Sequence, residues 1–110
     1  MNQGELRAEP RVAVSCRGTL ILGEVSAPCL IQNMCSRGFL IKYTDDLPVG
    51  RVAELKCELD SARHIECKIQ MRHVNAECVG ARVIEISDEE QVLCRQFLEE
   101  QHAARSFAQP

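Results

Sequence analysis

The stretch from Ile65 to Arg72 alternates strictly between apolar and polar side chains, and this alternation constrains the fold more than any other feature. The apolar members are Ile65, Cys67, Ile69 and Met71, and the polar members are Glu66, Lys68, Gln70 and Arg72. Successive side chains of a β-strand point to opposite faces of a sheet, so a period of two places all the apolar residues on one face. The stretch therefore predicts a strand with one buried face.

Five further segments predict strands from their β-branched and aliphatic content. They are VAVSCRGTLIL (12–22), CLIQNM (29–34), FLIKYT (39–44), RVAELKCEL (51–59, with Val52, Leu55, Cys57 and Leu59 on a buried face) and CVGARVIEI (78–86). Turn residues separate them at 23–28, 35–38 and 45–50, and the short DSAR connection predicts a hairpin. We expect a mainly β fold in which six antiparallel strands close into a small barrel, because closure removes exposed strand edges.

The end of the sequence changes period and predicts a helix. Ser87 and Glu90 have the spacing of a capping box, and the acidic first turn suits the helix dipole. Apolar residues then line one helical face, namely Leu93, Cys94, Phe97 and Leu98. We expect this helix to cover the barrel and to end near Gln101.

Composition excludes several classes of function. The net charge of −3 disfavours a general DNA- or RNA-binding protein, and one Tyr, three Phe and no Trp disfavour a stacking platform for single strands. An anionic ligand would therefore need a local cluster of arginines. No apolar run approaches the roughly 20 residues of a membrane span, so no membrane insertion is expected. The N-terminus lacks the apolar core of a signal peptide, which predicts a cytoplasmic protein.

The seven cysteines form no close CxxC pair, which is the spacing that many zinc sites show. Most of them lie inside apolar segments. We interpret them as small buried residues in a reducing compartment, with a metal site and a redox role as alternatives. No catalytic set of Ser, His and Asp is evident, so no enzyme is expected, although Cys35 could meet His64 or His73 in space as a nucleophile pair.

Two short motifs remain. Arg7 and Arg11 form an RxxxR pair just before the first strand, and the stretch QNMCSRGFLI places an Asn, a Cys, a Ser, an Arg and a Gly in one turn. In this order, with the strands and helix that follow, they resemble the PilZ domain family across about residues 7–101. Family members carry RxxxR and [Asp/Asn]-x-Ser-x-x-Gly on a six-stranded β-barrel, and typically bind the bacterial second messenger cyclic di-GMP.

The second motif has two possible registers. One takes Ser36 as the motif serine, which places Met34 and Phe39 at the amide and glycine positions and requires a bulky residue where glycine supplies a positive φ freely. The other retains the amide and the glycine and replaces the serine by cysteine, which gives Asn33, Cys35 and Gly38. We adopt the second register, in which Ser36 remains near enough to contribute a hydroxyl or a backbone N–H.

The resemblance implies that cyclic di-GMP is bound by Arg7, Arg11, Asn33, Cys35, Ser36 and Gly38, without metal or cofactor. Arg37 is either a third cation or a solvated turn residue. The implied organisation is a flexible segment over residues 1–11, a PilZ-like barrel with its helix over residues 12–101, and a disordered tail over residues 102–110. Binding would draw the segment over the barrel, and this single-domain receptor would then signal to an unidentified effector protein.

The cysteine at the serine position leaves an alternative open. A thiol is a weaker hydrogen-bonding group than a hydroxyl, so Cys35 is expected to weaken the affinity for the ligand. Some members of the family lack the ligand residues and act only through protein–protein contacts. A degenerate barrel that does not bind nucleotide is therefore the second hypothesis.

Overall fold

The computed structural model describes residues 11–42, 50–75 and 78–108, and these form a closed antiparallel barrel followed by one helix. The elements are β1 (Val12–Leu22), β2 (Val25–Cys35), β3 (Gly38–Lys42), β4 (Val52–Glu58), β5 (His64–Asn75), β6 (Cys78–Ile86) and α1 (Asp88–Ala108). The order of strands around the barrel is β1-β2-β3-β6-β5-β4. The predicted fold class, a six-stranded barrel with a C-terminal helix, is confirmed.

The barrel interior contains the apolar face that the alternation predicted. Ile65, Ile69 and Met71 of β5 are almost completely buried, whereas the intervening polar residues face outward. In β4 the burial alternates in the same way, but its first inward residue is Ala53. Val52, which was predicted to share the buried face, is 44% exposed because it lies one position out of phase with Leu55.

The first hairpin is tighter than predicted. The region 23–28 was expected to be a turn, but β2 already begins at Val25 and Leu22 pairs with Val25. Gly23 has a φ of 64°, and this left-handed conformation is what a two-residue hairpin turn requires. Pro28 lies within β2 and pairs with Thr19. The strand therefore begins three residues before Pro28, whereas the sequence predicted that it would begin after it.

Helix α1 begins as predicted and ends later. Ser87 Oγ accepts a hydrogen bond from the Glu90 backbone N (3.2 Å) and donates one to Glu90 Oε1 (2.8 Å). The predicted apolar face packs on the barrel, with Cys94, Phe97 and Leu98 buried and Leu93 partly buried. The helix continues to Ala108 instead of ending near Gln101, because HAARSFA contains good helix formers and Pro110 is the first breaker.

The cysteines lie mainly in the core. Five of the seven free thiols are buried, while Cys35 and Cys78 are half-buried. Burial raises the pKa of Cys29 and of Cys94 to about 11 and that of Cys67 to about 12, so these thiols stay protonated at neutral pH. Within the described ranges, no group of three potential metal ligands occurs and no helix is long and apolar enough to cross a membrane.

Arg63 connects the β4–β5 turn to the helix. Its Nη2 atom lies 2.7 Å from Asp60 Oδ2 and 2.6 Å from Glu100 Oε1, and its Nη1 atom donates to Glu100 Oε2 at 3.1 Å. The guanidinium also lies 5.5 Å from the centroid of the Phe97 ring. Hydrogen bonds from Arg63 hold the pKa values of the Asp60 and Glu100 carboxyl groups below their ordinary range. Both carboxylates therefore stabilise the docked helix in their ionised form.

Replacing Glu100 by Gln should lower the melting temperature at neutral pH by roughly 2–5 °C, since an exposed forked ion pair contributes modestly. Glu100→Gln and the matched control Glu99→Gln, an exposed neighbour on α1, should be compared by circular dichroism. A depressed pKa contributes stability above the unfolded carboxyl pKa of about 4, and this is lost as the pH falls through the folded value. The difference should therefore shrink toward pH ~3. Equal melting temperatures of the two variants at pH ~7 would contradict the assigned ion pair.

Candidate functional site

The turn between β2 and β3 carries most of the predicted ligand residues. Cys35 pairs with Gly38, so Ser36 and Arg37 form a two-residue turn at one end of the barrel. Asn33 pairs with Ala13 across β1, and Met34 pairs with Val12. Because Arg11 directly precedes Val12, the structure brings Arg11 beside this turn. Arg7 lies outside the described residues.

Gly38 is required at its position for a different reason from the one expected. It was assigned a turn position with positive φ, but positive φ occurs at Gly23 and Gly50 among the described glycines, not at Gly38. A Cβ atom at Gly38 would instead lie 2.6 Å from the backbone oxygen of Ala81. The glycine therefore allows β3 to approach β6 closely.

The backbone of the turn is also fixed to β6. The Val83 N–H donates to the carbonyl oxygen of Arg37 at 2.8 Å, outside the regular ladder. Cys35 and Ser36 are half-buried in this turn, and Arg37 is exposed. The side chains of the turn are thus presented by a backbone held from both sides, which preorganises them for contact with a ligand.

Asn33 contains an unused acceptor. Its Oδ1 atom is inaccessible to solvent, and no described residue donates a hydrogen bond to it. A buried acceptor without a donor costs about 1–3 kcal/mol, and a ligand would reach this one only after the side chain turns toward the surface. Asn33 also adjoins an irregularity in the pairing of β2 with β3. Ile31 pairs with Ile41 and Asn33 pairs with Leu40, so the register shifts by one residue between them.

A shallow depression of about 220 Å³ lies beside the turn and is lined by four arginines and one histidine. Gly38, Gly80 and Ala81 form its apolar part, and the charged residues around it are Arg11, Arg37, Arg72 and Arg82, together with His73. Among the residues that the structure describes, no carboxylate lines it. Within the described parts of the chain, the ion pairs involve Arg63 and Lys68 and none of these four arginines. The depression therefore has uncompensated positive charge, which favours an anion.

Three larger grooves on the barrel each include at least one carboxylate, and one of them, of about 400 Å³, lies on the other side of the turn with Ser36, Arg37 and Glu85 in its lining. One of about 740 Å³ is lined by Arg17, Lys56 and His64 but also by Glu58 and Glu66. Another groove, of about 310 Å³, is lined by four glutamates and two lysines, Lys56 and Lys68. All three contain their own counterions, so none matches the charge of a phosphate ligand as well as the arginine depression does.

Sequence reasoning missed Arg72, His73 and Arg82. On a strand with period-two alternation, Arg72 and Arg82 have the pattern of ordinary solvated charges, and His73 was taken as a barrel residue at a strand end. What brings them to the turn is the order of the strands, because β6 lies between β3 and β5. The one local feature in the sequence is that Arg72 and His73 are neighbours. Two adjacent polar residues are equally typical of a binding site and of the end of a strand.

Comparison with known proteins supports the fold at low sequence identity. The chain matches the inhibitor of motility MotI/DgrA from Bacillus subtilis with a TM-score of 0.78 and 17% identity, over 99% of this chain and 54% of that chain. It thus spans about half of the Bacillus protein. It also matches the PilZ domain of YcgR from Escherichia coli, solved with c-di-GMP, with a TM-score of 0.75 and 10% identity over 93% of this chain and 96% of that chain.

No curated protein matches the sequence. The model of the PilZ domain, in contrast, matches residues 5–100, which includes the RxxxR pair, all six strands and most of α1. A match of this extent agrees with the closed six-stranded barrel and its C-terminal helix. The chain belongs to the PilZ domain family.

Proposed function

We propose that this protein is a receptor for cyclic di-GMP, and that it binds the nucleotide on the β2–β3 turn and the adjoining arginine depression. The observation that carries the proposal is the position of Arg11 beside the turn, at a depression whose described lining contains four arginines and no carboxylate. Membership of the PilZ domain family supports it, as does the likeness to the YcgR domain that was solved with this nucleotide.

The chemistry of the ligand fits the residues. Cyclic di-GMP carries two phosphodiester charges and two guanines. Arg7 and Arg11 can each make forked hydrogen bonds to phosphate or to guanine O6 and N7, and can stack on a purine face. A rotation of the Asn33 side chain would present its Oδ1 acceptor, which is buried in this conformation, to an N–H of the guanine base edge. Ser36 would add a hydroxyl or backbone contact, and Gly38 would allow close approach of the ligand to the backbone.

Replacing Arg7 and Arg11 by Ala should reduce the affinity for cyclic di-GMP at least about 100-fold, since each charge-assisted bond contributes about 1.5–3 kcal/mol. Isothermal titration of the wild type and of the Arg7→Ala/Arg11→Ala variant would measure this and would also give the stoichiometry. The matched control is Arg17→Ala/Arg95→Ala, which removes the same charge from two exposed positions outside the depression. An equal loss of affinity for cyclic di-GMP in both variants would indicate a general effect of net charge and would contradict the assigned site.

Replacing Cys35 by Ser should strengthen binding by up to about tenfold. A hydroxyl restores a neutral hydrogen bond worth about 0.5–1.5 kcal/mol, which a thiol makes poorly. Cys78→Ser is the control, because Cys78 is the other half-buried cysteine and its thiol faces Gln32 Oε1 at 3.4 Å. An unchanged or weaker affinity of Cys35→Ser would show that the motif serine position does not contact the ligand in this protein.

The thiol at the motif position also favours the second candidate, a barrel that acts only through protein–protein contacts. That candidate predicts no heat and no binding when cyclic di-GMP is titrated into the wild type. The arginine depression alone does not decide between the two candidates, because an acidic partner protein would also be attracted to it, so the titration is the test that separates them.

The proposed output is a signal to a partner protein rather than catalysis. Ligand contacts from Arg7 and Arg11 would hold residues 5–11 against the barrel end that carries the β2–β3 turn, and the combined surface would be recognised by an effector. The free thiols support a cytoplasmic location, where cysteines stay reduced.

Amide hydrogen exchange tests the closure of residues 5–11. Ordering costs about 1–2 kcal/mol per residue, so measurable protection requires that the arginine contacts exceed this cost. Saturating cyclic di-GMP should slow exchange from Glu5 to Arg11 and leave the rate in α1 unchanged. Unchanged protection of the segment, at ligand concentrations that saturate the titration, would rule out closure as the signal.

A further inference from the structure

We propose that Arg72, His73 and Arg82 form a second ligand subsite on β5 and β6, which binds a phosphate and a purine base next to the motif residues. The inference rests on the proposed function, because it concerns the same nucleotide class. It goes beyond the motifs, since none of these residues belongs to RxxxR or to the β2–β3 turn. The geometry of three neighbouring strands supports it.

A bulge in β5 places Arg72 and His73 together on the outside of the barrel. Met71 pairs with Ala81 and His73 pairs with Gly80, so Arg72 is the extra residue of the strand. In a regular strand His73 would face inward like Met71, but Arg72, His73 and Val74 are all exposed after the fully buried Met71. Bulges redirect side chains in this way and are frequent beside binding sites.

Arg82 connects this bulge with the β2–β3 turn. On one side it pairs with Gly38 of β3, and on the other it pairs with Gln70 of β5. Arg72 donates from Nη1 to Gln70 Oε1 at 3.2 Å, a neutral partner that positions the guanidinium without cancelling its charge. Arg82 thus lies between the turn that carries Arg37 and the bulge that carries Arg72.

The surface between these arginines offers a place for a planar group. A Cβ atom on Gly80 would lie 3.8 Å from Cδ2 of His73, so the imidazole lies alongside a position that has no side chain. Purine bases stack on His rings and on guanidinium planes. The depression is only about 220 Å³, so a nucleotide would lie across it with its phosphates on the arginines rather than enter a pocket.

The Arg72→Ala/Arg82→Ala variant tests the subsite by isothermal titration of cyclic di-GMP. Affinity should fall roughly 10- to 100-fold relative to wild type, as expected for lost charge-assisted contacts. Arg17→Ala/Arg95→Ala has the same net charge and should bind like wild type. The melting temperature of the subsite variant without ligand should be unchanged or higher, because removing two unpaired positive charges relieves repulsion. Unchanged affinity, or a lower melting temperature that accounts for the loss, would overturn the proposal.

A second probe separates failure of the subsite from failure of the proposed function. Pyrophosphate at millimolar concentration should shift the backbone amide signals from Gly80 to Arg82 in a ¹⁵N–¹H spectrum, and the Arg72→Ala/Arg82→Ala variant should lose these shifts. If cyclic di-GMP does not bind the wild type but pyrophosphate gives these shifts, the proposed function fails and the anion subsite remains. If cyclic di-GMP binds both proteins equally and pyrophosphate shifts nothing there, only the subsite fails.

Discussion

Strand β3 approaches β6 so closely at Gly38 that no side chain fits between them, and the arrangement of the site depends on this contact. A Cβ there would come within 2.6 Å of a backbone oxygen of Ala81. The close approach lets the Val83 N–H reach the carbonyl of Arg37, which fixes the β2–β3 turn on β6. Residues of the turn and residues of the β5–β6 pair consequently face the same depression, although they are far apart in sequence.

The features that the sequence predicts correctly depend on residues that are close together in the chain. Alternation in β5, the capping box at Ser87 and the apolar face of α1 each depend on residues within a few positions, and all are present in the structure. The start of β2 and the end of α1 were misjudged for a related reason. Pro28 was assigned to the turn although a strand can accommodate it, and the residues after Gln101 were expected to be a disordered tail although the helix continues through them to Ala108.

Features that depend on pairing between strands could not be predicted. The bulge at Arg72 is defined by how β5 pairs with β6. The sequence of one strand does not determine this pairing register. Arg82 has the pattern of any outward charge on a strand, and its place beside Gly38 follows from the strand order of the barrel. The sequence therefore identifies the motif side of the candidate site, while the tertiary structure is needed to identify the β5–β6 side.

Net charge is a poor guide to binding on a surface of this kind. The chain carries −3 overall, yet the described residues around its arginine depression include no carboxylate. Screening reduces the influence of charges more than about 8 Å away at physiological salt, so an anion at the depression mainly experiences the nearby guanidinium groups. The barrel holds these groups close together with no counterion among the described residues, so a bound anion would relieve their mutual repulsion.

The same electrostatics determines how much the cysteine at the motif position matters. Under the proposed function, the thiol of Cys35 forgoes a neutral hydrogen bond of about 0.5–1.5 kcal/mol. A single charge-assisted contact from an arginine contributes about 1.5–3 kcal/mol, so one additional arginine offsets the loss. The depression holds Arg37, Arg72 and Arg82 beyond the RxxxR pair. A motif that is incomplete by one hydroxyl is therefore compatible with a functional nucleotide site, because most of the binding free energy would come from residues outside that position.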